Sequence, residues 1–494
     1  MKTINSAFAS GLITLLVLAE ITNASGEKKN FDIKNVSTEE RITLTQFIEN
    51  LQQTHPLFEC EELNHAIVSE EQKSLTGAED WTVSSSASFN YIDHSPITAG
   101  IEKTNGTSLT NGVTRHFWST GGNLSANLTL GVKRYDYLPD PLHSSLPNTN
   151  FDNQLSIAYT QPLLRNWQGV LSKLEFDLKS IEIELTDVRI LENQEDFLAA
   201  EVQNFLNWVF YTVELQIVQE RLQLSEKSLK DTKHKRAYNL IDRVDVIRAE
   251  NALSLAEQNC VTVESSLLSL LKQLSVLLQD NRIMEKIPKF NLYEIHAIPE
   301  LETVISDFKQ DSRVLKQLAL RLKQFKIVRE GNKESTKPDL SLTAQAGTNK
   351  FDENFGEALK IDKPQASLSI SYIFPLKNTT AQANVHTIDL RIAQLNKQIE
   401  ESVIAQISTL SNVYVQLKQM EEILNLNKQQ IKLAKQKTNE EMVTYNRGRG
   451  AFTFVIQSQD EEERAKLTYV LNALTYQKLY IQYLAITDQL LLPQ

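Results

Sequence analysis

The groups that could carry covalent or metal chemistry are few and far apart. Eight histidines are scattered through the 494 residues, with no His-Glu-x-x-His pair to hold a metal and no Cys-x-x-Cys. No Gly-Lys dipeptide occurs, which removes a phosphate-cradling P-loop, and no two glycines bracket a serine as in a hydrolase nucleophile turn. The two cysteines, Cys60 and Cys260, each fall on a predicted helix; a single bridge between them and two buried free thiols are both open. Catalysis is not expected, and no cofactor or metal is implied. Energy for any process must come from a partner.

What remains is the chemistry of surfaces, and it depends on two kinds of element. The stretch FDNQLSIAYTQ alternates, with Phe151, Leu155, Ile157 and Tyr159 on one side and Gln154, Ser156, Ala158 and Thr160 on the other, the period of a strand. Beyond Pro162 no proline occurs until Pro288, and no glycine between Gly169 and Gly331. Such a run predicts long helix, from Leu163 to about Arg236, on the order of 110 Å. Apolar residues at Trp167, Leu171, Leu174, Leu178, Ile181, Leu185 and Val188 step by four and three, and Val263, Leu267, Leu270, Leu274 and Leu277 continue the habit on a returning helix. Val385, Ile388, Ile392, Leu395 and Ile399 repeat it later. These read as antiparallel coiled-coil seams.

The strands have the opposite character. In NLSANLTLGV, Leu124, Ala126, Leu128, Leu130 and Val132 alternate with small polar residues, and WTVSSSASFNY, DLSLTAQAG and ASLSISYIF repeat the theme. Apolar on one face, small and polar on the other, with tyrosines near the ends, is how a membrane β-barrel strand reads. A bilayer tolerates no open sheet edge, and one chain offers only four to six such strands, fewer than the eight of the smallest closed barrels. Several chains must therefore share one barrel. Its strands are expected over Trp81 to Gln161 and Asp339 to Phe374.

The N-terminus reads as an export signal: Lys2, an apolar core from Gly11 to Ala19, and small residues before Ser25, with cleavage expected near Ala24. No later run reaches eighteen consecutive apolar residues, so a transmembrane helix is not expected. A composition 41% apolar with only 15 Gly and 12 Pro suits a chain dominated by helix, and the net charge of −11 argues against nucleic acid as a partner.

The plan is stated twice. Ile42 to Gln72 resembles Glu300 to Glu330 in length and patterning; each leads to strands, then to a strand ending in proline (Pro162, Pro375), then to a long helical hairpin whose turn carries Tyr238-Asn239 or Tyr445-Asn446. The two prolines mark the strand-to-helix junctions and are placed early in their helices, where a missing N–H costs little. An internal duplication follows, with a signal peptide at 1–24, a first repeat at 25–282, a linker at 283–300 and a second repeat at 301–494. The first repeat carries about 43 extra residues, which read as one added hairpin with its turn at Gly121-Gly122. That hairpin is expected to project outside the cell, because adding it to a shared barrel of three chains would raise the strand count from twelve to eighteen.

In the order helix, strands, TQPLLRN, helical hairpin, and the same again, essentially the whole mature chain resembles the TolC-like outer membrane efflux proteins. The resemblance implies a mainly α protein with membrane β: a homotrimer in outer membrane lipid, with a twelve-strand shared barrel and long helices forming a periplasmic tunnel. It implies an equatorial belt at Ile283 to Glu300 plus the C-terminal tail. It also implies an exit duct of a tripartite efflux or type I secretion system, in the outer membrane of a Gram-negative-type cell, whose periplasmic tips dock a membrane-fusion adaptor of an inner-membrane transporter. The family's Tyr-x-x-Gly tip signature matches Tyr445 and Gly448, with Gly450 also in that turn. In the first half Tyr238 and Asn239 are present without the glycine, and the turn reads as about two residues shorter. Asp245 matches the acidic position after the first tip, and Phe454 and Gln457 stand where some members place constricting aspartates, so an apolar constriction is the expectation here. The basic cluster Lys227 to Arg236 is either a solvated face or an electrostatic contact with the adaptor. The reading of another class is an exported coiled-coil structural or adhesive fibre without a pore.

Overall fold

Long helix forms where the sequence withholds proline and glycine. The computed structural model describes residues 41–98, 100–139 and 146–491; the expected signal peptide lies outside the described residues. Strand β1 (Arg41–Thr43) leads into α1 (Leu44–Thr54) and, across His55, α2 (Pro56–Leu75). Thr43 and Gln46 close a capping box on α1, and Pro56 opens α2 where its missing N–H would have had no helical partner. Strands β2 (Thr82–Thr98), β3 (Ile101–His116), β4 (Asn123–Tyr137) and β5 (Thr149–Pro162) follow, then α3 (Val170–Ala237) and α4 (Arg243–Leu277). Strand β6 (Ile287–Lys289) pairs in parallel with β1. The second half gives α5 (Leu301–Asp311), α6 (Arg313–Ser335), β7 (Asp339–Asp352), the one-turn α7 (Phe355–Ala358), β8 (Lys363–Ile373), α8 (Thr379–Asn446) and α9 (Phe452–Ile486).

The long helices and the first short helix of the two halves match in length, whereas α2 has 20 residues and α6 23. Helices α3 and α8 each have 68 residues, α4 and α9 each 35, and α1 and α5 each 11. A constant offset of 209 (379−170, 486−277) relates the ends of all four long helices. Helices α3 and α8 each span about 100 Å, and the returning helices α4 and α9 cover only half of that. The seam expected between α3 and its returning helix is therefore divided: Ile181 and Val188 near the sheet bury against Leu320 of α6, while Leu215 and Val218 farther along meet Cys260 and Val263 of α4. The largest core lies between, where Trp208, Phe205, Phe47, Leu274, Leu417 and Tyr476 join five helices to the loop that carries Ile283 and Leu292. Both cysteines are free; Cys60 is exposed, and burial pushes the Cys260 thiol up to about 11. By length and composition alone α4 is apolar enough to cross a membrane, although no run in it reaches eighteen consecutive apolar residues.

The strands form one sheet in the order β2-β3-β4-β5-β7-β8, antiparallel throughout, so β5 and β7 join the two halves. Observed limits of Thr82–Pro162 and Asp339–Ile373 fall within a residue of those expected. Two corrections concern the ends of these strands. Pro162 is the last residue of β5, opposite Ser341, and α3 starts eight residues later at Val170; Pro375 follows β8, with α8 starting at Thr379. Neither proline lies in the first turn of its helix. The added hairpin does not project away either: β3 and β4 are central strands, and their turn lies at the helix end of the sheet.

Candidate conduit wall and docking tips

Register aligns the alternation of every strand. Val83, Val113, Ala126, Ile157, Ala346 and Ala366 form one continuous row on one face. Ser84, Gly112, Asn127, Ser156, Gly347 and Gln365 form the matching row on the other. Hydroxyl pairs link neighbouring strands on the polar face: Ser88 with Ser108 (2.8 Å), Thr110 with Thr129 (3.2 Å) and Thr160 with Thr343 (2.9 Å). The apolar face is bare, with Val83 75%, Phe89 68%, Leu368 70% and Ile370 69% exposed. A bare apolar face of this extent is costly in water and suited to lipid.

At the helix end of the sheet, the β3–β4 turn is seated against the start of α3. The Trp118 N–H donates to the Glu79 carboxylate (2.7 Å), the Trp118 ring packs on Phe176 (5.3 Å between centroids), and the Gln161 side-chain amide donates to the Thr120 carbonyl (2.8 Å). Gly169, at φ 70°, is required here twice over: its backbone is left-handed, and a Cβ would run into the Trp118 carbonyl. Asn166, also left-handed at φ 62°, accepts from the Leu171 and Ser172 N–H groups (2.9 and 3.1 Å) and so caps α3 from outside the helix. None of this was visible as a motif, although Asn and Gly flanking the helix start were a signal.

At the opposite end, about 100 Å away along the helices, the two tips are built alike. Helix α3 ends with Leu240 N–H on the Lys235 carbonyl and Asn239 N–H on that of Arg236; α8 ends with Arg449 N–H on Thr444 and Gly448 N–H on Tyr445. Asn239 (φ 54°) and Gly448 (φ 74°) hold the same left-handed position. The first turn is not shorter, as expected from the sequence; five residues separate the helices in both, and Asn239 replaces the glycine. By this alignment Tyr445 corresponds to Arg236, not to Tyr238. Gly450 has no left-handed backbone but sits close to Thr444 and Tyr445.

Tyr238 is exposed and packs on His234, whereas Tyr445 is half-buried, with its ring on Phe452 and the Lys235 ammonium 4.1 Å from its centroid. Burial, then the nearby Asp245 and Asp231 charges, raise the Tyr445 phenol above its usual range. Lys235 also donates to Asn446 (3.2 Å), so the basic cluster bridges the tips. Asp245 pairs with Arg248 (3.0 Å). Phe454 is 52% exposed; the core positions are Phe452 and Val455, packed with Ala249. Gln457 is exposed and lines a cleft of about 480 Å³ between α4 and α9.

Two charged clusters, each centred on a largely buried arginine, were not anticipated. Arg221 on α3 donates to Ser225, Gln459 and Asp460 (2.8, 3.2 and 2.7 Å) and lies 3.6 Å from Glu463, joining α3 to α9. Arg313 meets Glu192 (2.8 Å), Glu195 and Asp488 (3.3 Å), tying α3, α6 and the C-terminal turn. The three carboxylates are spaced as cation ligands could be, but the guanidinium fills their centre. Burial raises the Glu192 carboxyl despite the arginine. No isolated sequence position predicts such pairing across the chain.

No family model matches the sequence, and no curated protein matches it. Solved structures do. The channel CusC aligns over 90% of this chain and 91% of its own at TM-score 0.66 and 10% identity; its structures were described as following folding and transmembrane channel formation. The outer membrane protein VceC of Vibrio cholerae aligns over 90% and 95% at TM-score 0.63 and 12% identity. The chain has the fold of the outer membrane channels. The open-state MtrE outer membrane channel of Neisseria gonorrhoeae agrees, over 90% and 89% at TM-score 0.63 and 14% identity. At the level of fold, the resemblance to the TolC-like outer membrane efflux proteins holds over nearly the whole chain.

Proposed function

We propose that the protein is an outer membrane exit duct, a homotrimer that passes cargo from a periplasmic adaptor and an inner-membrane transporter to the cell exterior. The observation that carries this reading is the sheet: an apolar exposed face, a small polar face, and two open edges, continuous with helices about 100 Å long. Lipid contacts the first face, water fills the space behind the second, and other copies must cover the edges. Exposed apolar residues on the helices support packing between copies: Val261, Leu268 and Val276 on α4, and Ile404, Leu426 and Leu433 on α8. Matched helix lengths at a constant offset support an internal duplication. The tips, with Tyr238, Asn239, Asp245, Tyr445, Gly448 and Gly450, are the docking surface for the adaptor, and Phe454 faces the narrowing end of the tunnel.

The test is mass in detergent together with single-channel conductance in a planar bilayer. A trimer that conducts is expected, and Phe454→Asp should raise resting conductance by wetting an apolar constriction without loss of thermal stability. A monomer, or a trimer that never conducts, would return the fibre reading.

A further inference from the structure

The geometry points to a barrel wall made of six strands per chain, closed by the β8 edge of one copy pairing with the β2 edge of the next, so that three copies enclose eighteen strands. This rests on the exit-duct reading and its trimer. It departs from that reading's simplest form, in which each half supplies one hairpin and the wall has twelve strands.

Four observations carry it. The added strands β3 and β4 lie inside the sheet, paired on both sides along most of their lengths. Their turn is fastened at the helix end by Glu79, Gln161 and the Trp118–Phe176 contact, so the hairpin cannot swing outward without opening a hole beside Gly169. Both faces run through these strands without interruption: Val113 and Ala126 continue the apolar row, and Ser108, Thr110 and Thr129 continue the polar hydroxyl pairs. Finally, the open edges fit each other. Six antiparallel strands leave β2 and β8 running in opposite directions, so β8 of one copy meets β2 of the next as an antiparallel pair with like faces aligned.

In hydrocarbon neither edge has another partner of the right polarity, because lipid offers no donors or acceptors. At equal strand tilt, barrel diameter grows about linearly with strand number, so the exit mouth is about 1.5 times as wide as a twelve-strand mouth. Walls of this strand number enclose an open aqueous channel. The mouth therefore admits larger cargo than the four long helices of each chain would suggest, and selection by size falls to the helical end.

The experiment is a cysteine-pairing scan of the membrane-inserted trimer in a Cys60→Ser/Cys260→Ala background. Substitutions at Ser84, Ser86 and Ser88 of β2, each combined with one at Ser367, Ser369 or Ser371 of β8, sample the possible registers on the polar face. Oxidation is expected to give covalent dimers and trimers from at least one combination. Ser88→Cys/Ser108→Cys, whose hydroxyls lie 2.8 Å apart, is the internal control and should close within a chain. Two other pairs should stay open. Ser84→Cys/Ser156→Cys spans three strand spacings, about 14 Å, and can close only if β3 and β4 leave the wall. Asn127→Cys with Ser369→Cys links copies only if the wall begins at β4. Closure of either, failure of the internal control, or a trimer without any β2–β8 link overturns the inference. A monomeric mass instead removes the duct reading beneath it.

Discussion

In the first half seven residues, 163–169, carry the chain from sheet to helix and end on a glycine; in the second five residues, 374–378, do so and end on an asparagine. Gly169 and Asn378 are equivalent positions, 209 apart, each left-handed and each immediately before a 68-residue helix. The two halves thus keep long helices of equal length and differ in what stands before them, four strands against two. The difference teaches that helix length and sheet width are set separately. Helices that pack side by side over about 100 Å and end together must share one length, so a residue gained in one half would misplace its tip; a sheet can gain a hairpin if the new turn finds a seat. The Trp118 carbonyl against Gly169 is that seat.

The strongest test of this comparison exchanges the two residues. Gly169→Asn should destabilise the assembled protein by about 4 kcal/mol, combining left-handed strain with overpacking against Trp118. Asn378→Gly should change stability by less than about 1 kcal/mol. Thermal unfolding in detergent reads both, and equal effects would mean that the β3–β4 turn does not dock. A second exchange concerns Arg221, buried among Gln459, Asp460 and Glu463, whose counterpart 209 residues on is the exposed Gln430. Arg221→Gln should cost about 1 to 2 kcal/mol by removing the buried guanidinium that bonds Gln459 and the partly covered Glu463, Asp460 being half exposed, whereas Gln430→Arg should cost nearly nothing; similar losses would show that position 430 is covered by another copy of the chain.

The tips sharpen the comparison from its symmetrical side. Nothing lies within 4 Å of a Cβ added to Gly448, so Gly448→Ala should cost about 1 kcal/mol from backbone conformation alone. Asn239→Ala should cost no more, and Asn239→Gly should be neutral or slightly stabilising. If the proposed adaptor binds the chain, its loss in one of these variants without a stability change would locate the contact at that tip.

The smallest expected effect follows pH. Burial alone raises the Glu214 carboxyl, while the matching position holds Ile423. A raised carboxyl in the folded state means a contribution that is present below the ordinary value of 4.5 and lost as pH rises through the folded value. Glu214→Gln should therefore raise the thermal midpoint at neutral pH, and the gain should shrink as pH falls toward 4.5. A gain that persists in acid would show that the carboxylate is not the destabilising group.

Much of this was legible along the chain. Strand limits came from a period of two, and helix existence from the absence of breakers, because both are local properties of consecutive residues. Helix starts were misplaced by several residues: Leu163 to Gly169 holds no proline after Pro162, yet Asn166, Gln168 and Gly169 are left-handed. The tip alignment slipped by two because tyrosine is easier to match than a backbone angle, and Asn239 does the work of Gly448. Phe454 was singled out where Phe452 is buried, since two aromatics two residues apart cannot be ranked without knowing which face of α9 meets α4.

The sequence by itself determined the inventory: breaker-free runs that must be helix, alternating runs with one apolar face, and a plan repeated along the chain, because each depends on residues within a few positions of one another. Tertiary structure alone decided which contacts complete them. It divided the long helix α3 between α6 and α4, seated Trp118 beside Gly169, filled the space among the carboxylates of Glu192, Glu195 and Asp488 with Arg313, and placed β3 and β4 inside the sheet. Those partners lie tens to hundreds of residues apart, and pairing at that separation is selected by packing and by hydrogen bonds that close only when the whole sheet and its helices have assembled.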